Sequence, residues 1–489
     1  MVGVRVLLCL AVSFSLIGCE SISKFSGERG VAASGQRLDK SGYSYDPEDR
    51  SCDGYPRLKV ETAPGTCLGL VLARDRAVDA TTKKSFVMPR TIVQIPNSDD
   101  FLVVDMGGWK KDNGALYRLS KNSRGEYGVT LLKFPLNNPH GLALGPDGKF
   151  YVGEKQTISR FRMKNGKLEN WELVVGGLPG REGHMHPLAQ FTFDPRNGDL
   201  YINAGAPSDH CSAETEGNAK DYRVCADEGG TGMASILRIP AQFLTNPGKK
   251  GVSFYEIAAR GLRNSMAMAI HSSGVLVQGE NSRDFPELDE PYEELNVVDL
   301  AETKRGLHYG WPYCYNFHAV SPEWKYKENA SSETFKLFRT PVDCSVTNPR
   351  EIGEYQAPHA LIPPHAAPLS ALYYQGRMFD RELGGKLLMT WHGYQPTGHR
   401  VVAYDVDATG RPLLKSNKEK VSFSFDNKDA CPTQKPYKPQ GGMVQSAVYK
   451  ELITKWNPVK GVRPKGAPVG MTVASDGSIW IVEDRENRT

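Results

Sequence analysis

From Ile92 onward the chain repeats one phrase: an apolar pair, a turn rich in Gly, Asp or Asn, then an alternating apolar run. It reads IVQIPNSDDFLVVD from Ile92, HGLALGPDGKFYVGE from His140 and AQFTFDPRNGDLYINAG from Ala189. It returns as MAMAIHSSGVLVQGE from Met266, SALYYQGRMFDRELGGKLLMTW from Ser370 and VGMTVASDGSIWIVED from Val469. Each phrase predicts a β-hairpin. Asp-Gly, Asn-Gly and Ser-Gly supply turn residues that tolerate positive φ, and the flanking Val, Ile, Phe and Tyr suit a pleated surface. Six such hairpins predict an all-β, six-bladed propeller, whose radial sheets protect their edges and gather loops at the mouth of a central channel. A β-sandwich or a seven-bladed ring is the competing pattern.

Spacing refines this picture. The first three phrases start close together, at 92, 140 and 189, whereas later gaps are longer and contain an acidic loop and the stretch from Asn316 to Pro358. Insertions of this kind are expected as face loops, where binding residues concentrate. The closing strand of the ring is expected from the segment Leu58 to Ala73, and residues 56–489 are expected to form one domain.

The N-terminus sets the compartment. Arg5 precedes an apolar run from Val6 to Leu16, too short to span a bilayer and of the length of a signal-peptide core. Its end, Leu16-Ile17-Gly18-Cys19, resembles a bacterial lipobox. That resemblance implies a signal over 1–18, lipidation of Cys19, and a chain tethered to the membrane without spanning it. Glu20 in place of Asp points to the outer membrane, with the protein facing the periplasm. An ordinary secretory signal with an incidental Cys is the alternative. Residues 19–55, rich in Ser, Gly and charge, are expected as a flexible tether.

Nine Cys occur. Setting aside Cys9 and Cys19, the local pairs 52 with 67, 211 with 225 and 314 with 344 are plausible staples in an oxidising compartment, with Cys431 left over. No C-x-x-C, haem signature or Cys/His zinc spacing is present, so thiol-bound metal and covalent haem are not implied. Net charge is only +4 and no Lys/Arg run stands out, so nucleic acid is not implied as a partner.

The chemistry is concentrated between Ala259 and Tyr315: AARGLRNSMAMAIH, then QGENSRDFPELDEPYEELN, then HYGWPYCY. An Arg-Asn pair offers an always-charged fork of donors. The loop from Glu280 to Asn296 carries Asp284, Glu287, Asp289, Glu290, Glu293 and Glu294, a density of carboxylate that suits a hard cation. Ahead of the third phrase, His184 and His186 stand where a propeller loop reaches the channel mouth, and a His titrates near neutrality as a base must.

The order and wording of these segments resemble the glucose/sorbosone dehydrogenases, soluble six-bladed propellers that oxidise sugars with pyrroloquinoline quinone (PQQ) and calcium. The resemblance runs from about Cys67 to the C-terminus. It implies a sugar dehydrogenase in which His186 is the general base, with His184 as its rival because Pro187-Leu188-Ala189 replaces the family's Gly-rich step. It implies that Arg263 and Asn264 meet the cofactor and its reacting carbonyl. Calcium is implied at the backbone carbonyls of Ser282 and Arg283, where the family has Gly-Pro or Asn-Gly, with Glu293 and Glu294 completing the site. His365, His392, His399 and Arg400 become candidates for the mouth, of which His365, His392 and Arg400 are read as cofactor contacts. Gly466-Ala467-Pro468 lacks an Arg that the family commonly carries. The substrate implied is a small sugar and the electron acceptor a quinone or cytochrome. Two other functions remain open: a calcium-dependent lactonase, and an anchored propeller that has lost catalysis and binds glycan or protein.

Overall fold

A computed structural model describes residues 37–484 apart from 39–43, 46, 73–76, 181–184, 210–231, 284–289, 302–306, 318, 321–343, 345–354, 394, 396, 423–440 and 456–466. All six phrases form antiparallel hairpins. Their strand pairs are Pro89–Gln94 with Phe101–Asp105, Leu142–Leu144 with Phe150–Glu154, and Phe191–Phe193 with Leu200–Ala204. The others are Ala267–Ile270 with Val275–Glu280, Pro368–Tyr373 with Leu387–Trp391, and Pro468–Val473 with Ile479–Glu483. A residue in the left-handed region serves each turn: Asn97, Gly148, Gly198, Gly274, Gly385 and Gly477.

Five of these hairpins grow outward into sheets of four or five strands, and the sixth remains a two-stranded sheet among the described residues. The expected six full blades are therefore corrected to five blades and a short closing sheet. The reason lies in the N-terminal segment. Glu61–Thr62, expected to complete the last blade, pairs instead with Tyr449–Thr454 on the outer edge of the fifth sheet. The ring still closes. Each innermost strand packs against the innermost strands of its two neighbours, and Pro468–Val473 lies between Pro368–Tyr373 and Pro89–Gln94.

The core is distributed between the sheets. Second strands such as Phe101–Asp105, Leu200–Ala204 and Leu387–Trp391 are buried at every position, because each is sandwiched between two neighbouring blades. That is why they read as continuous apolar runs. Leu102, Val104, Phe150 and Val152 join the first and second blades, while Val277, Leu295, Met389 and Val402 join the fourth and fifth. Phe101 stacks on Trp480 at a centroid distance of 4.1 Å, fastening the first blade to the closing sheet. Each fully buried Leu or Phe contributes roughly 1.5–3 kcal/mol over its exposed state.

Two disulfides are formed among the described residues, Cys52 with Cys67 and Cys314 with Cys344, as expected. Cys211, Cys225 and Cys431 lie outside the described residues, as do the signal and Cys19. The tether expected over 19–55 ends in structure: Pro47–Cys52 pairs with Tyr55–Leu58 and is stapled through Cys52 to Cys67.

Candidate functional site

The hairpin turns occupy one face of the ring, and polar side chains gather on the other, where inner strands begin and second strands end. Arg90 and Gln190 lie at the starts of the first and third inner strands, with His140 and Ser265 two residues before the second and fourth; Glu280 ends a second strand, and His392 and Asp484 follow one. Arg90 and Asp484 form a buried ion pair. His392 Nε2 stands 2.6 Å from the other Asp484 oxygen. His140 Nε2 lies 3.2 Å from an Arg90 nitrogen, and its Nδ1 lies 3.0 Å from Gln190 Oε1. Because arginine only donates, His140 Nε2 must accept and Nδ1 must carry the hydrogen. Burial, reinforced by Arg90, pushes the His140 ring well below the usual histidine range, so it is neutral.

The series continues through the third blade. The backbone N–H of Asn203 donates to the Gln190 carbonyl, and its side chain accepts from Ser265 N and donates to Asn264 Oδ1 (3.1 and 3.2 Å). Glu280 then accepts from Asn264 N at 2.9 Å, Ser265 Oγ at 3.2 Å and Gln278 Nε2 at 2.5 Å. Burial outweighs these bonds and pushes the Glu280 carboxyl up to about 7.

His186 is half-buried at the same mouth. Its Nδ1 stands 2.8 Å from the Ala206 carbonyl. A carbonyl only accepts, so Nδ1 carries the hydrogen and Nε2 is the proton-accepting atom of the neutral ring. Gly205 permits this placement: a Cβ there would stand 2.6 Å from His186 Cβ and 3.3 Å from Asn264 Oδ1. His186 and Asn264 are thus brought together across a glycine. His184 lies outside the described residues.

The described parts of the segments between Ala259 and Tyr315 meet in space. Leu307–His308 runs back from the fourth blade and pairs in parallel with Glu256–Arg260 of the third. Trp311 N donates to the Gly261 carbonyl at 3.0 Å. A pocket results, lined by Arg263, Glu280, Arg283, Glu294, Trp311 and Tyr315 among others. Arg263 is 3% exposed, and its NH1 donates to the carbonyls of Asn281 (3.0 Å) and Ser282 (2.7 Å). Its other nitrogens reach the Asp209 carboxylate at 2.7 Å and the Asp209 carbonyl at 3.1 Å. Arg283 lies 3.6 Å from the same carboxylate, and Trp311 Nε1 donates to the Asp209 carbonyl at 3.0 Å.

The acidic loop behaves differently from its sequence reading. Glu293 accepts from the backbone N–H groups of Ser282 (2.5 Å) and Ala367 (3.1 Å), so its carboxylate fastens one loop to another. With Ser282 O taken by Arg263, two of the expected calcium donors, Ser282 O and the Glu293 carboxylate, are engaged by the protein itself. Among the described residues no group of three or more His, Cys, Asp or Glu could hold a metal ion; Asp284, Glu287 and Asp289 lie outside them. Ser282 O and Glu293, so engaged, do not present a calcium site. Two guanidiniums and an indole line one pocket, with Glu280 and Glu294, and offer charge and an aromatic face to a planar anion.

The remaining candidates scatter. His365 and His399 hold left-handed backbone (φ 58° and 54°), the first in the loop before the fifth blade's inner strand and the second in the loop after its second strand. Arg400 pairs with Glu451 of the outer strand and lies over Trp391, away from the Arg263 pocket. Arg90, His140, Gln190, Asp209 and Asp484 were missed by sequence reasoning. For Asp484 a signal existed, since several phrases end in an acid: VVD, VGE, QGE, VED.

Known proteins agree with the fold. The profile of a family described as TrAA12-like matches residues 76–449. The holo PQQ domain of pyranose dehydrogenase from Coprinopsis cinerea superposes with a TM-score of 0.56 at 17% identity, over 89% of this chain and 98% of that one. An uncharacterized protein of Borreliella burgdorferi is 27% identical over 271 residues, 54% of this chain and 58% of its own length, so less than two thirds of that relative is spanned.

Proposed function

This chain belongs to the TrAA12-like family, and from that premise we propose that it is a PQQ-dependent dehydrogenase of small sugars. The observation that carries the reading is the fixed tautomer of His186, whose Nδ1 donates to Ala206 O and leaves the basic lone pair on Nε2. Support comes also from the pocket of Arg263, Arg283 and Trp311, from the sequence resemblance to glucose/sorbosone dehydrogenases, and from a fold shared with a pyranose dehydrogenase domain that holds PQQ.

When bound, the quinone supplies a two-electron acceptor for hydride. The protein's share is proton and position. His186 Nε2 takes the hydroxyl proton as the C–H bond breaks, and the Ala206 carbonyl stabilises the imidazolium through the Nδ1 hydrogen. Asn264, locked by Asn203 and Glu280, orients the ligand beside it. Arg263 and Arg283 present fixed positive charge to an anionic ligand in a poorly solvated pocket. We propose no catalytic step through calcium. We further propose lipidation at Cys19 and anchoring in the cell envelope, facing the periplasm; Cys19→Ala is expected to move the protein from membrane to soluble fractions.

A second reading, a binding propeller without catalysis, draws on Arg263 being engaged by Asp209 and two carbonyls. One experiment separates the two. The full-length chain, purified in mild detergent, is titrated with PQQ by tryptophan fluorescence and assayed for dye reduction across aldoses. The dehydrogenase reading expects PQQ binding, sugar-dependent reduction, and a loss of roughly 10²–10⁴ in kcat for His186→Ala with unchanged PQQ affinity. A chain that binds no PQQ sinks it.

A further inference from the structure

We propose that the Arg263 guanidinium is the resident cation of this pocket, occupying with covalently attached charge the position a divalent ion would otherwise take. Four oxygens surround it: the carbonyls of Asn281, Ser282 and Asp209 and one Asp209 carboxylate oxygen, at 2.7–3.1 Å. Two adjacent backbone carbonyls, a third carbonyl and a carboxylate form the kind of oxygen cage that a hard cation recruits, but here the distances are those of N–H···O bonds. Arginine cannot lose its charge by deprotonation, so the cage is filled at every physiological pH.

Two neighbours exclude a further ion. Arg283 is 7% exposed and shares the Asp209 carboxylate with Arg263, so a divalent ion entering there would meet two guanidiniums. Glu293 points both oxygens at backbone N–H groups, which holds Ser282 O toward Arg263. An anionic ligand beside Trp311 is then met by fixed guanidiniums, and its binding is independent of divalent ions. This last consequence rests on the proposed cofactor; the assignment of Arg263 does not.

The test uses Tb³⁺ as a calcium surrogate, excited through Trp311, on the full-length chain freed of metal with EDTA. The wild type is expected to show no saturable Tb³⁺ emission that calcium displaces and that Trp311→Phe abolishes. Arg263→Ala is expected to acquire it, with roughly the 10⁻⁴–10⁻³ M affinity of weak extracellular calcium sites. Arg263→Lys, which keeps the charge, is expected to stay without it. Stoichiometric metal binding by the wild type through Trp311, or a folded Arg263→Ala that gains none, overturns the assignment. Should Arg263→Ala fail to fold, the wild-type titration decides alone. In parallel, PQQ affinity is expected to be unchanged between EDTA and excess calcium, and a requirement for calcium overturns the proposal. Absence of PQQ binding in both, with the metal results as expected, removes the dehydrogenase reading and leaves Arg263 as the resident cation.

Discussion

Glu280 and Glu294 lie directly opposite each other on adjacent strands of the fourth blade, and both are buried. Two carboxylates so placed cannot both ionise cheaply. Burial, and then the neighbouring Glu280, push the Glu294 carboxyl well above its usual range, while Glu280 itself is pushed up to about 7. Glu294 is therefore the neutral member.

This pair has a pH signature. In the unfolded chain Glu280 releases its proton near 4.5, but in the fold it retains it to about 7. Between those values the folded state binds more protons than the unfolded one, so stability falls as pH rises through the window. Two and a half units correspond to roughly 3 kcal/mol at most. Glu280→Gln, which keeps the shape and removes the charge but turns one acceptor oxygen into a donor, is expected to lose the share of the slope that Glu280 carries, while Glu294 keeps its own. Urea unfolding at pH 5 and pH 7.5 measures it: equal slopes in variant and wild type contradict the assignment. His140 and His308, held neutral by burial, act in the opposite direction below pH 6.5 and do so equally in both proteins.

Gly261 couples the Arg-Asn segment to the aromatic turn. It has φ +68°, and a Cβ there would stand 2.4 Å from the His308 ring. His308 in turn accepts from Gly310 N at 3.0 Å, so the ring cannot swing away without opening that turn. Gly261→Ala is expected to destabilise by about 2 kcal/mol or more, adding steric overlap to backbone strain. Gly65→Ala isolates the strain, because Gly65 has φ +79° with nothing within 4 Å of a Cβ. Chemical unfolding that gives equal losses for the two variants would show that His308 does not restrain position 261.

Hairpins and their turns were legible because each is written locally: turn residues at fixed places between apolar runs. Edges were not legible. Nothing in Glu61–Thr62 tells which outer strand it will join, and its pairing with Tyr449–Thr454 leaves the last hairpin a two-stranded sheet. Charge partners across the ring were equally hidden. Asp209 lies 54 residues from Arg263, yet it accepts two of that guanidinium's bonds. Arg400 was read toward the mouth with the motif around it, but its strand pairs with the outer strand that carries Glu451.

Arg90 and Asp484 lie 394 residues apart, at the first inner strand and just past the last strand, and form a buried ion pair where the ring closes. The two-stranded closing sheet has few ladder bonds of its own, and this pair, the Phe101 to Trp480 stack and the Gln94 to Ser475 hydrogen bonds help join it to the first blade. Removing one partner strands the other's charge in a site with side-chain exposure below a tenth. Arg90→Met and Asp484→Asn are each expected to destabilise by about 3 kcal/mol. Replacing both, as Arg90→Met with Asp484→Leu, removes both charges and is expected to destabilise by less than the sum of the single changes. A double-mutant cycle by chemical unfolding gives the coupling, which should exceed about 1 kcal/mol for contacting partners. Strict additivity would mean that ring closure does not depend on this ion pair, and Trp480→Ala would then carry the larger loss.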